Sequence, residues 1–262
     1  MRFPKPDFTF VFDMDGTVYL GERVFPEAVS FVKMLREHGG RAVFFTNNAS
    51  RDKSFYCDRL NRMGFGVSPR DVLTSGDVTI SFLKKNRPGK SVYLVGTPLL
   101  EKSFREAGIP LSDDGEIVVT SFDTTLTYEK LKNACRLLRA GAEYFSTHPD
   151  YNCPTENGPI PDSGAICAFI KASVGVEPRF FGKPHAEAMN ALSEYVGESP
   201  ERMCVVGDRL YTDIALGKKN GVCSLLVLTG ETTSSDLVSL PPEESPDLVY
   251  PDLASFGEAL FR

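Results

Sequence analysis

The sequence predicts an α/β protein, with a Rossmann-like parallel-sheet core domain and a smaller α/β domain inserted into it. Three observations lead there. Short apolar runs of strand length alternate with helical periodicity at both ends of the chain. The runs are nearly continuous, as in strands buried on both faces of a parallel sheet. A stretch of about a hundred residues between the two ends, far beyond one crossover, carries its own alternation.

Phe8 to Phe12 is the first strand, and Val29, Val32 and Leu35 set a helix from Pro26 to His38, which Gly39-Gly40 stops. Arg41 to Phe45 is the next strand. In the middle, Ser91 to Val95, Ile117 to Thr120 and Tyr144 to Thr147 read as strands. Helices are expected around Lys102, over Tyr128 to Ala140 and over Ala165 to Ser173. Towards the end, Met203 to Val206 is a strand, Thr212 to Asn220 a helix closed by Gly221, and Cys223 to Leu228 a further strand. The core domain therefore spans 1–75 and 179–262 and the insert spans 76–178, bounded near Ser75-Gly76 and Pro178.

Composition narrows the function. With 29 Lys plus Arg against 35 Asp plus Glu, the net charge is −6, and no cation excess is present to release counterions from a nucleic acid polymer or an anionic membrane. Cys57, Cys135, Cys153, Cys167, Cys204 and Cys223 include no Cys-x-x-Cys pair, so they read as reduced thiols. Asp13 and Asp15 interrupt the first apolar run too early for a signal-peptide core, and no run approaches the roughly 18 residues of a membrane span. A cytoplasmic protein is expected. Dinucleotide and P-loop fingerprints are absent.

Chemistry gathers at the carboxyl ends of the buried strands, where open α/β sheets bind ligands. Asp13-Met14-Asp15-Gly16-Thr17 follows the first strand. An isolated Asp-x-Asp also suits an ordinary turn. However, Gly207-Asp208-Arg209-Leu210-Tyr211-Thr212-Asp213 follows another strand, and if the two strands are neighbours four acids converge. At an effective dielectric of 20, two such charges about 4 Å apart repel by roughly 4 kcal/mol, which calls for a hard cation such as Mg²⁺. Thr46-Asn47-Asn48, after the Arg41 to Phe45 strand, offers a hydroxyl, two carboxamides and turn N–H groups to an anion, though an ordinary Asn-rich turn with an Asn N-cap also fits. Gly182-Lys183-Pro184 delivers one lysine just before a helix. The basic helix faces around Lys84 and Lys130 read as solvated, and His38 and His185 as helix-end residues.

These four motifs, in this order, resemble the haloacid dehalogenase superfamily of phosphohydrolases over essentially the whole chain. The doubled Asn after Thr46 and the insert between the second and third motifs resemble the NagD-like or p-nitrophenyl phosphatase branch, with its subclass IIA cap. The resemblance implies a Mg²⁺-dependent phosphomonoesterase acting on small phosphorylated metabolites. Asp13 is then the nucleophile that forms an aspartyl-phosphate, and Asp15 the general acid and base, with its pKa raised towards neutrality. Asp13, the Asp15 backbone carbonyl and Asp208 are the implied metal ligands, with Asp213 ligating through water or orienting the others.

Lys183 and Thr46 would neutralise and position the phosphoryl oxygens, with backbone N–H groups near Met14 and Asn47, and Asn48 would lie towards the leaving group. The insert would act as a cap that sets specificity, through a loop from Thr147 to Pro154 and on to Gly164 that includes Asn152 and Cys153. Cys153 departs from the His of pyridoxal-phosphate-specific relatives, which argues against that substrate. His148 reads as an ordinary loop histidine. An acid at Asp15 favours a phosphatase or a mutase over a dehalogenase or an ion pump. A non-catalytic phosphometabolite sensor and a phosphomutase stay open as alternatives, and relatives with such a cap often form homodimers through it.

Overall fold

The computed structural model describes residues 3–155 and 157–262. They fall into two compact units, one of residues 3–46, 56–73 and 192–262, the other of 47–55, 74–155 and 157–191. The chain is a mixed α/β protein on parallel sheets, as its strand pattern predicts.

In the first unit, a six-stranded sheet runs in the order Leu248–Tyr250, Cys223–Val227, Met203–Gly207, Thr9–Phe12, Arg41–Thr46, Val72–Thr74. Thr9–Phe12 lies parallel between Met203–Gly207 and Arg41–Thr46, with Phe12 opposite both Val206 and Phe44. Every residue of Thr9–Phe12 and of Met203–Gly207 is buried, which is why these runs are apolar throughout and do not alternate. Helix Pro26–Glu37 turns Ala28, Phe31, Val32 and Leu35 to this core. Phe31 meets Phe10 at 5.8 Å and Phe256 at 5.5 Å, centroid to centroid, each such pair contributing about 0.5–1.5 kcal/mol beyond its buried area.

The second unit is built on a four-stranded sheet, ordered Arg179–Phe180, Glu143–Ser146, Ile117–Thr120, Val92–Val95, again parallel. Helices Tyr128–Arg139 and Ser163–Val174 cover it through Ala134, Leu138, Ile166 and Ile170. Residues 179–191, assigned to the core from the sequence, pack in this unit. The cause is local: Arg179 and Phe180 pair with Phe145 and Ser146, and Phe181 packs 5.4 Å from Phe145.

The expected helix over Thr212 to Asn220 begins as a π-helical turn, Leu210–Ile214, before Ala215–Asn220 becomes α-helical. Such wide turns cluster at functional sites. Among the described residues no helix is long and apolar enough to cross a membrane.

Candidate active site

Neighbouring parallel strands bring the first acids together. Asp13 follows Thr9–Phe12 and donates its N–H to Val206 O at 2.8 Å, which ties it to the strand that ends just before Asp208. The π-helical turn then brings Asp213 back to the same place. One carboxylate oxygen from each of Asp13, Asp208 and Asp213 lies within 4.8 Å of the other two, and all three side chains are buried. The Asp15 carboxylate does not belong to this group.

Two glycines make room for Asp208. Gly16 has φ +91°, a conformation strained for any residue with a Cβ, and a Cβ there would sit 2.3 Å from Asp208 Oδ2. A Cβ at Gly230 would be 2.0 Å from the same oxygen. Asp208 is oriented by the Thr17 hydroxyl, which donates to Oδ1 at 3.1 Å, and by the Glu231 N–H, which donates to Oδ2 at 2.8 Å.

Crowding perturbs these groups. Burial first, then the Asp13 and Asp213 charges, pushes the Asp208 carboxyl up to about 7. Burial opposes the Arg209 charge, but Asp13, Asp208 and Asp213 outweigh it and hold its pKa above the usual value. Asp15 is raised to about 6, by burial and then by Asp13, against the opposing pull of Arg59, Arg209 and the Tyr19 hydroxyl. Tyr19 is buried, with the Arg59 guanidinium 4.5 Å over its ring. The Met14 side chain is sealed in the core, so only its backbone is available to a ligand. Thr46 is buried at the end of the neighbouring strand.

The donor set suits a hard divalent cation, because three buried carboxylates converge with their mutual repulsion only partly offset. A stability test follows. The Asp15 and Asp208 carboxyls move from 3.8 to about 6 and about 7, so the metal-free fold loses stability as pH rises from near 4 through those values. Mg²⁺ at about a hundredfold its Kd adds roughly 2.7 kcal/mol, expected as a rise of about 5–10 °C in Tm at pH near 7.5. The rise should shrink near pH 5, where protons compete for the carboxylates. Calorimetry showing equal shifts at both pH values would remove the cation from this cluster.

The remaining predicted residues lie in the second unit, where Asn47 clamps the Lys183 backbone. Its carboxamide accepts the Lys183 N–H at 2.8 Å and donates to Lys183 O at 3.0 Å and to both Asp150 oxygens at 3.1 Å. The Asn47 side chain is therefore committed within the protein, and Lys183 itself is buried. Asn48 Oδ1 accepts the Ser50 N–H at 3.0 Å and its hydroxyl at 2.7 Å, while Asn48 Nδ2 lies 3.9 Å from Cys153 Sγ. Asn152 and Cys153 pair antiparallel with Ile160 and Pro161, leaving Asn152 exposed and Cys153 half-buried.

Several of these residues were not singled out from the sequence. Asp150 and Asp162 sit in a loop with no periodicity to mark them. His148, read as an ordinary loop residue, is wholly buried against Asp162 at 2.8 Å.

Comparison with known proteins places the chain in a family. The family described as haloacid dehalogenase-like hydrolase matches residues 10–110, and a second model described as HAD-hydrolase-like matches residues 180–256. An acid sugar phosphatase of Staphylococcus aureus is 34% identical over 240 residues, covering 90% of this chain and 93% of its own. The crystal structure of a 4-nitrophenylphosphatase from Thermotoga maritima superposes with a TM-score of 0.93 at 44% identity, over 97% of this chain and 98% of that one. A glycerol phosphate phosphatase from Mycobacterium tuberculosis, solved in complex with magnesium, gives a TM-score of 0.88 at 31% identity, over 97% of this chain and 78% of that one. The chain belongs to the haloacid dehalogenase-like hydrolase family and stands among its phosphatases.

Proposed function

We propose that this phosphatase is a Mg²⁺-dependent phosphomonoesterase of small phosphorylated metabolites that works through an aspartyl-phosphate on Asp13. The observation that carries the reading is the meeting of Asp13, Asp208 and Asp213 in one buried cluster, with a fourth acid, Asp15, raised to about 6 beside it. A carboxylate cluster alone would bind a cation. A nearby acid whose pKa lies near neutrality adds a group able to give and take a proton at working pH.

In this mechanism an Asp13 oxygen attacks phosphorus, and the bond to the ester oxygen breaks as the new bond forms. The departing oxygen takes its proton from Asp15. Asp15, now ionised, removes a proton from the water that attacks the phosphoryl group. Inorganic phosphate leaves and Asp13 is restored. Mg²⁺, held by Asp13, the Asp15 backbone carbonyl and Asp208 with Asp213 in support, would supply charge neutralisation for the phosphoryl group. To Lys183, the Thr46 hydroxyl and the backbone N–H groups at Met14 and Asn47 the same reading gives the binding of phosphoryl oxygens. The second unit is the cap that selects the leaving group, through Asn48 and the loop bearing Asn152 and Cys153.

The names of relatives suggest which substrates to try first: sugar phosphates, glycerol phosphate and p-nitrophenyl phosphate, followed by nucleoside monophosphates and phosphoglycolate. Phosphate release from this panel is expected with Mg²⁺ and is expected to vanish with a chelator. Silence across the panel, with ligand binding retained, would instead favour a phosphometabolite-binding protein.

A further inference from the structure

The Asp15 carboxylate stands outside the group formed by Asp13, Asp208 and Asp213, so the orientation of its side chain has to come from elsewhere in the protein. The segment directly after it supplies the contacts. The Gly16 N–H donates to Tyr19 O at 2.7 Å, and Asp15 and Tyr19 form an isolated β-bridge. The Tyr19 hydroxyl hydrogen-bonds the Asp15 side chain as well. That hydroxyl also lies 3.6 Å from Met14 Sδ, a much weaker acceptor than a carboxylate. Tyr19 thus holds Asp15 twice, once through the backbone of the next residue and once at the carboxylate.

Tyr19 itself needs an anchor. It opens a hairpin in which Tyr19–Leu20 pairs antiparallel with Arg23–Val24, two residues a side. Even longer isolated hairpins are marginal in water. The anchor is Arg59, on helix Lys53–Arg62. An arginine on so polar a helix is ordinarily solvated, yet this side chain is only 16% exposed. Its guanidinium lies 4.5 Å over the Tyr19 ring, donates to the Gly21 carbonyl in a short hydrogen bond and sits 3.3 Å from the Glu22 carboxylate. Glu22 is almost fully exposed, so that ion pair adds little, and the hold rests on the ring and the carbonyl. One planar, always-charged fork can stack on a ring and donate from its edge at the same time. The charge of Arg59 also reaches the Asp15 carboxylate directly.

We propose that Arg59 is a positioning residue that clamps the Tyr19–Val24 hairpin and, through Tyr19, holds the Asp15 side chain where it can pass a proton to the leaving oxygen. Its effect on turnover rests on the role given above to Asp15. Its hold on the hairpin does not.

The test compares the full-length Arg59→Met protein with wild type in two ways. Amide hydrogen exchange, read without substrate, should quicken by about tenfold or more at Gly16 and across the hairpin, while the amides of strand Thr9–Phe12 keep their protection. With Mg²⁺ present, kcat on glycerol phosphate should fall by about tenfold or more, part of the 10²–10⁴-fold that a positioned general acid supplies, and kcat on p-nitrophenyl phosphate should fall much less. A merely structural defect would slow both substrates alike. Added to Asp15→Asn, Arg59→Met should cost little further, because the group it positions is already gone. Arg59→Lys keeps the charge but not the planar fork, should show the same pattern in smaller measure, and serves in its place if Arg59→Met does not fold. Unchanged exchange in the hairpin overturns the proposal, as do equal losses on the two substrates or a full further loss on top of Asp15→Asn. Equal losses on the two substrates in Asp15→Asn alone would strike the role of Asp15. Absence of phosphate release from wild type would strike the enzymatic reading, and the exchange rates would still decide whether Arg59 clamps the hairpin.

Discussion

Asp13→Asn protein is expected to release phosphate at least about 10⁴-fold more slowly than wild type, because the attacking carboxylate is lost while the shape of the side chain is kept. The backbone N–H that Asp13 donates to Val206 is untouched by the change, so the strand pairing should survive. A second readout separates lost chemistry from lost structure. Asp13 is the leading charge that raises Asp208, and removing it should bring the Asp208 carboxyl back towards the ordinary range. The metal-free variant should then melt no lower than metal-free wild type near neutral pH. Turnover at the wild-type rate would end the aspartyl-phosphate mechanism, whereas lost activity with a collapsed Tm would show only that the fold had failed.

The second large effect is expected at Asp15. Asp15→Asn should slow the hydrolysis of alkyl phosphates such as glycerol phosphate by about 10²–10⁴-fold, the usual worth of a positioned general acid. The loss with p-nitrophenyl phosphate should be distinctly smaller. Nitrophenolate leaves as a stable anion, whereas an alkoxide needs a proton as its bond to phosphorus breaks. The Asp15 pKa of about 6 keeps part of the population protonated near neutrality, where an unperturbed aspartate would be almost wholly ionised. Equal losses on the two substrates would deny Asp15 a part in leaving-group protonation.

Most of the fold was legible because its strands are buried on both faces. Thr9–Phe12 and Met203–Gly207 offer no polar position, and so stand out as continuous apolar runs. Lys53–Arg62 was missed for the opposite reason, since only Tyr56, Cys57 and Leu60 are buried in a mostly polar helix. Leu248–Tyr250 is three residues long and only partly buried, too weak a signal to separate from a loop. That the second unit runs past residue 179 to 191 could not be read because it depends on pairing, and Arg179–Phe180 has no pattern of its own.

Among the acids, Asp13 and Asp208 were legible as residues that directly follow buried strands. What escaped was set by three-dimensional packing. The tight approach of Gly230 to Asp208 joins loops that sequence spacing does not relate. The burial of His148 against Asp162, fourteen residues further on, likewise joins positions that no periodicity relates.

The strand order of the first unit has a consequence for biosynthesis. Thr9–Phe12 pairs with Met203–Gly207, so the central strand of the sheet waits for a neighbour made almost two hundred residues later. A ribosome adding about 5–20 residues per second needs on the order of ten to forty seconds to supply it. During that interval the nascent chain holds an apolar strand with one bare edge, which is the situation in which chaperones engage and chains misassociate. Asp13 gains the company of Asp208 and Asp213 only after about two hundred further residues have been made. A chain truncated before Met203 should therefore emerge with an open sheet and no metal cluster, prone to aggregate even though its entire second unit has already been synthesised.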